Sequence, residues 1–239
     1  MNYPKKFFEI NLRFACKISE ITRESIESTL LPYTNLYIRF SIGRDFDANN
    51  PIWQEYLEGL RQAADTAEWT YHFYLKRQQL ASPKSHVLSF GCFSYTIVNG
   101  NRIRLHFHNN ESPGQSPLGN DQIGKRLSEL KNMFAYIKND VNNPTSVIGA
   151  SWLYNLEGYR RLFPSTYLAT AQVGGNDFPF LPLWGQFIDH LGHVKENLVE
   201  QFLQRLDKQH RIDGIEKCFP FQVLHLESSV QEFHQFYGV

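Results

Sequence analysis

The sequence has no surplus of charge: Lys plus Arg and Asp plus Glu each number 24, so the formal net charge is zero. A broad electrostatic grip on nucleic acid or on an anionic membrane is therefore not expected. Cysteine is scarce as well. The three, Cys16, Cys92 and Cys218, are odd in number and widely spaced, with no CxxC pair. That excludes a disulfide framework and fits a reducing compartment with buried structural thiols. No stretch approaches the roughly 18 apolar residues of a spanning helix. The N-terminal MNYPKKFFEINLRF lacks the uninterrupted apolar core of a secretion signal, and no repeat or low-complexity tract occurs. The expectation is a cytoplasmic chain of bacterial type, with neither membrane nor nucleic acid as partner.

What the sequence does have is aromatic residues, 15% of its 239 positions. A chain of this length buries roughly 70–75% of its unfolded surface and needs no disulfide or metal staple. The first eighty residues read as helices. Phe7, Phe8, Leu12 and Ala15 fall on one helical face. Thr22 is placed to cap the helix that Pro32 ends, and Asn50-Pro51 sets a cap and first-turn proline before IWQEYLEGL. The aromatic run at 67–77 reads as a buried helix.

After ASPKS (81–85) the pattern turns β-rich. HVLSFGCFSYTIV, NGN and RIRLHFH form a hairpin whose register physics decides. A two-residue turn would mix apolar and charged residues on both faces. A three-residue turn over Asn99, Gly100 and Asn101 pairs Ile97 with Ile103, Tyr95 with Leu105 and Phe93 with Phe107. It leaves Cys92, Ser94 and Thr96 beside Arg104, His106 and His108 on the other face. Downstream, the stripe Ile123, Leu127, Leu130, Phe134 predicts a helix capped near Asn120 or Asp121, and TSVIGASWL a strand. LEGYRRLF reads as a helix, STYLATAQV as a strand turning at Gly174-Gly175, and FPFLPLWGQFI as an extended edge. HVKENLVEQFLQRL, FPFQVLHLE and SSVQEFHQFYG read as helix, strand and closing helix. The expected class is α+β: a helical region, 1–82, packed on a mixed, mostly antiparallel sheet domain flanked by helices, 83–239.

Several constellations carry chemistry. His106 and His108 share a strand face as metal ligands two apart would, with Glu111 just beyond, and His190 and His193 form a second pair. With altered spacing these resemble the two metal-binding motifs of cupins, so a metal-dependent enzyme using His106, His108, Glu111 and His193 is one reading. Hydrogen-bonded or exposed histidines are the plainer one. Ser151 with Asp189 and His193 would make a triad, but GASWL lacks the GxSxG elbow. Cys92, mid-strand among apolar residues, reads as inert. Arg160 and Arg161 diverge by about 100° on a helix, so one at most would meet an anionic ligand. ESPGQSPLGNDQIGKRL puts glycines before a helix N-terminus, where unpaired N–H groups would hold a phosphate.

Leu105-His106, Ser116-Pro117-Leu118, Ser151-Trp152-Leu153 and Leu162-Phe163-Pro164 together resemble the core of bacterial acyltransferase-domain proteins with a GNAT-like C-terminal region. The likeness spans about 100–168. It implies a GNAT-like sheet, a bound acyl- or nucleotide-bearing small molecule, and acyl transfer from a CoA thioester. On that resemblance the catalytic group would be His106, Ser151 and Tyr154, with Trp152, Arg160, Tyr167 and Trp184 on the substrate. Gln115, Gly119 and Gly124 would hold the cofactor, although neither Gln115–Gly119 nor Gln122–Gly124 keeps the family's Arg/Gln-x-x-Gly-x-Gly/Ala spacing. A non-catalytic protein that docks a partner through aromatic surface is the third reading.

Overall fold

The computed structural model describes residues 3–80, 88–99, 101–112, 114–174 and 180–239. The 81–85 boundary, the hairpin's first residues at 86–87 and its central Gly100, and Gly175 and 178–179 lie outside the described residues. In chain order the elements are α1 (Lys5–Thr22), α2 (Ile26–Tyr33), α3 (Leu36–Arg39), α4 (Pro51–Gln62), α5 (Thr66–Leu80), β1 (Ser89–Phe90), β2 (Phe93–Val98) and β3 (Arg102–Phe107). There follow α6 (Ile123–Asp140), β4 (Ser146–Ser151), α7 (Glu157–Arg160), α8 (Ser165–Ala169), β5 (Gln172–Val173), α9 (Glu196–Asp207), β6 (Leu224–Ser229) and α10 (Val230–Tyr237). The class is α+β. The chain forms two compact units, Met1–Pro83 with Phe178–Pro220, and Lys84–Asp177 with Phe221–Val239. The segment Phe178–Pro220 of the helical unit lies within the stretch that the sequence pattern assigns to the sheet domain.

The helical unit is built on aromatic packing. Phe7, Phe8, Leu12 and Ala15 are all buried, as their spacing on α1 predicts. Phe14 lies 5.6 Å, centroid to centroid, from both Trp184 and Phe202, and Phe202 lies 4.8 Å from Phe219. Asn50 caps α4, its Oδ1 accepting from Ile52 N at 3.0 Å with Pro51 in the first turn. Thr22 does not cap α2. Arg23 turns left-handed (φ 62°) and ends α1, so Thr22 Oγ1 donates back to Ile18 O at 3.0 Å, and Ser25 Oγ accepts from Ser28 N instead. The segment expected to be an extended edge forms a 3₁₀ turn, Leu183–Phe187, because that curl buries Leu183, Trp184 and Phe187 together.

Among the described residues the sheet unit holds six strands in the order β1-β2-β3-β4-β6-β5. Every neighbouring pair is antiparallel except β3 and β4, which run parallel through the α6 crossover. The hairpin takes the three-residue register: Phe93 pairs with Phe107, Tyr95 with Leu105 and Ile97 with Ile103. Asn101, with φ 55°, supplies the left-handed residue that such a loop needs. Helices α6 and α10 cover the apolar face. Leu130, Met133, Phe134 and Ile137 join Phe233 and Tyr237 over Phe93, Ile103, Leu105, Val147 and Leu226. Strand alternation sends Thr96, Arg104, His106, Ile148, Ala150, His225 and Glu227 to the opposite face. The 165–173 segment is not one strand. It forms the short helix α8 and then only two residues of β5, because a helical turn is what carries Tyr167 into the core.

That core closes tightly on β4. Tyr154 and Tyr167 bring their hydroxyls 2.9 Å apart over Gly149, where a Cβ would stand 2.2 Å from one oxygen and 2.3 Å from the other. Gly149→Ala is therefore expected to cost about 1–3 kcal/mol as the pair is pushed apart. Urea unfolding would show a lower midpoint at unchanged slope.

Candidate functional site

The sheet face opposite α6 carries a cleft of about 510 Å³ lined by Arg102, Arg104, Ile148, Gly149, Ala150, Thr170, Gln172, His225, Leu226 and Glu227. Its layout follows from the ladder. Arg104 stands opposite Ile148 and Ile148 opposite Glu227, while Ala150 stands opposite His225, with Gln172 beyond it. The apolar residues Ile148 and Ala150 of β4 thus form a floor between arginines on one flank and Glu227 and His225 on the other. Arg102 Nη1 leans across to 3.7 Å from Glu227 Oε2, and the Glu227 amide donates to Thr170 Oγ1 at 3.2 Å.

Two side chains here are placed at a cost. Arg104 Nε and His225 Nε2 are both shielded from solvent and have no hydrogen-bond partner among the described residues. A shielded polar group without a partner costs about 1–3 kcal/mol, more when charged. Burial, reinforced by the charge of Arg104, pushes the His225 imidazole below its ordinary value. The unfolded chain therefore holds the proton at pH values where the native chain has lost it. His225 contributes stability above the unfolded value near 6.5, and that contribution falls as pH drops toward the native value. The His225 ring resonances, followed by NMR, are expected to titrate below those of an unperturbed histidine and to move upward when Arg104 is neutralised.

The residues singled out by sequence fall elsewhere. His106 and His108 lie on the same face, but His106 Nε2 bonds Thr96 Oγ1 at 2.9 Å and His108 Nε2 bonds Ser94 Oγ at 3.2 Å. Glu111 does not join them: its carboxylate is held by Arg126 at 2.5 Å and by Lys125 at 2.8 Å. Among the described residues no three of His, Cys, Asp and Glu converge as metal ligands. His193 belongs to the helical unit, where its amide and that of Leu191 donate to Asp189 Oδ1. Ser151 Oγ accepts from Leu153 N at 3.1 Å, capping a 3₁₀ turn.

Tyr154 and Tyr167 are fully packed, and burial raises both phenols, so they serve the core. Trp152 is buried and stacks on Phe221 at 5.9 Å. Trp184 lies at the centre of the helical unit's aromatic cluster. Arg160 is exposed beside a smaller pocket of about 310 Å³ with Tyr154, Asn155 and Leu168. Arg161 clamps the loop before α6, donating to Leu118 O at 2.9 Å and Gly119 O at 3.0 Å. Gln115 is exposed, and Gly124 faces open space.

Sequence reasoning passed over Arg104 and His225 as a pair. The available signal was alternation: Arg104 shares the hairpin face of His106, and LHLE sets His225 and Glu227 opposite Leu224 and Leu226. The chain matches no family model, no curated protein and no solved structure. Fold and cleft define it as an α+β protein whose antiparallel sheet, with one parallel crossover, carries a polar cleft of two arginines, a histidine and a glutamate.

Proposed function

We propose that the sheet unit binds a small anionic molecule in the cleft beside Arg104 and His225. The observation that carries this is the shielded Nε of Arg104, which has no partner among the described residues and lines one cleft with the equally shielded and unpartnered Nε2 of His225 across the β4 floor. A carboxylate or phosphate in the cleft would satisfy both through charge-assisted hydrogen bonds. The cleft lies within the size range of small-molecule sites. A thermal-shift panel of carboxylates, phosphate monoesters and nucleotides tests the reading. One class should raise Tm saturably and move the His225 resonances; a panel with no saturable response overturns it.

Acyl transfer is a second reading, favoured by the parallel β3–α6–β4 crossover in the stretch that resembles GNAT-like proteins. Ligands of open sheets lie beyond the carboxyl ends of parallel strands, which here are bounded by His108, Ser151 and residues 114–122. The loop does not fit a CoA pyrophosphate. Asp121 Oδ1 stands 2.5 Å from where a Cβ on Gly119 would lie, which sets a carboxylate against any phosphate there. The Arg161 fork is already engaged by Leu118, Gly119 and Asn120. Titration with CoA and acetyl-CoA tests this reading: absence of binding to either would sink it.

A further inference from the structure

The cleft is not simply cationic. Glu227 shares it with the arginines: its Oε2 stands 3.7 Å from Arg102 and its Oε1 accepts from the Ser146 hydroxyl, so opposite charges meet side by side at the Ile148 end of the floor. Each simple kind of ligand leaves one of these groups badly matched. A dianion placed on Arg104 would bring its second charge against Glu227. A plain cation drawn to Glu227 would lie against the Arg102 guanidinium. Either mismatch sets like charges near one another in the cleft. A ligand with an anionic group and a protonated amine one or two bonds apart leaves no group opposed.

The geometry suits that arrangement. Arg104, Ile148 and Glu227 lie in one lateral row across three strands. With strands about 4.8 Å apart, the two outer residues stand roughly 10 Å apart at the backbone. Their long side chains close most of that gap, as the reach of Arg102 to Glu227 shows. His225, whose Nε2 has no partner among the described residues, lies diagonally along the row and offers one more hydrogen-bonding atom. Ile148 and Ala150, between the flanks, give an apolar surface for a side chain to lie on.

We infer that the cleft recognises an α-amino-acid-type zwitterion, its carboxylate on Arg104 and Arg102 and its ammonium on Glu227. This rests on the anion-binding reading and narrows it to a ligand class. The test is calorimetric titration of the full chain with each common L-amino acid, followed, for the binder, by its N-acetyl derivative and its amide. Both derivatives are expected to bind at least about tenfold more weakly, since each loses one charge-assisted contact. Glu227→Gln should weaken the amino acid by about fivefold or more and leave the N-acetyl derivative unchanged. Glu227 is exposed, so the variant is expected to fold. An N-acetyl derivative that binds as well as its parent, with no effect of Glu227→Gln, would overturn the zwitterion and leave anion binding standing. Silence from every amino acid and derivative, together with a silent anion panel, would overturn both.

Discussion

Arg126→Met is expected to destabilise the chain by about 3–5 kcal/mol, the usual cost of breaking a buried ion pair by removing one partner. The Arg126 side chain is 1% exposed and lies between Glu111 at 4% and Glu129 at 12%. Its guanidinium donates to Glu111 at 2.5 Å, to Glu129 at 2.7 Å and to the Cys92 sulfur. Glu129 in turn accepts the Cys92 amide at 3.1 Å, and its carboxylate fills the space where a Cβ on Gly91 would sit. Arg126 thus ties the β1–β2 turn and the segment after β3 to α6. Without it, two carboxylates are left shielded from water, with Lys125 as the cation on Glu111.

The acid limb of the stability curve should change as well. Lys125 and Arg126 hold the Glu111 carboxyl below the ordinary carboxylate range. Its contribution is therefore complete above the unfolded value near 4.3 and is lost as pH falls through the native one. Urea melts at pH 7 and at pH 4 measure both effects, and the variant should show a shallower loss on acidification. Combining Arg126→Met with Glu111→Gln and Glu129→Gln should recover much of the loss, because the uncompensated charges go together. A single variant as stable as the parent would show that this cluster does not secure the turn.

Arg104→Met should move stability and binding in opposite directions. The folded chain loses a shielded donor that nothing satisfies and a charge that opposes His225, so Tm is expected to hold or to rise by a few degrees. Affinity for the anionic ligand should fall by at least about tenfold, the scale of a lost charge-assisted hydrogen bond. Side chains held at a cost to folding mark positions kept for another purpose. The paired measurement is thermal unfolding without ligand and calorimetric titration with it. A lowered Tm with unchanged affinity would mean that Arg104 serves the fold and not a ligand.

Much of the architecture was legible because its causes are local. The hairpin register follows from the period-2 alternation on both strands, and a one-residue slip would have turned every apolar side chain outward. The stripe on α1 and the Asn50-Pro51 cap follow equally from neighbours a few positions apart. Where a segment's conformation depended on distant partners, the pattern misled. Residues 165–173 alternate like a strand, yet Tyr167 is drawn into a helical turn by Tyr154 and Gly149 on β4. Tyr154, read as catalytic, and Tyr167, read as a substrate contact, are core residues for the same reason.

The sequence by itself determined the α+β class, the hairpin and the helical faces, since periodicity and turn chemistry act over a few residues. Only the tertiary structure decided which polar side chains meet. Ladder pairing from β3 through β4 to β6 sets Arg104 across a two-residue floor from His225 and Glu227, and helix α6 brings Arg126 onto Glu111 and Glu129. On a strand, a charged residue facing water and one facing a cleft occupy the same alternating position. Long-range pairing separates them, and nothing local records it.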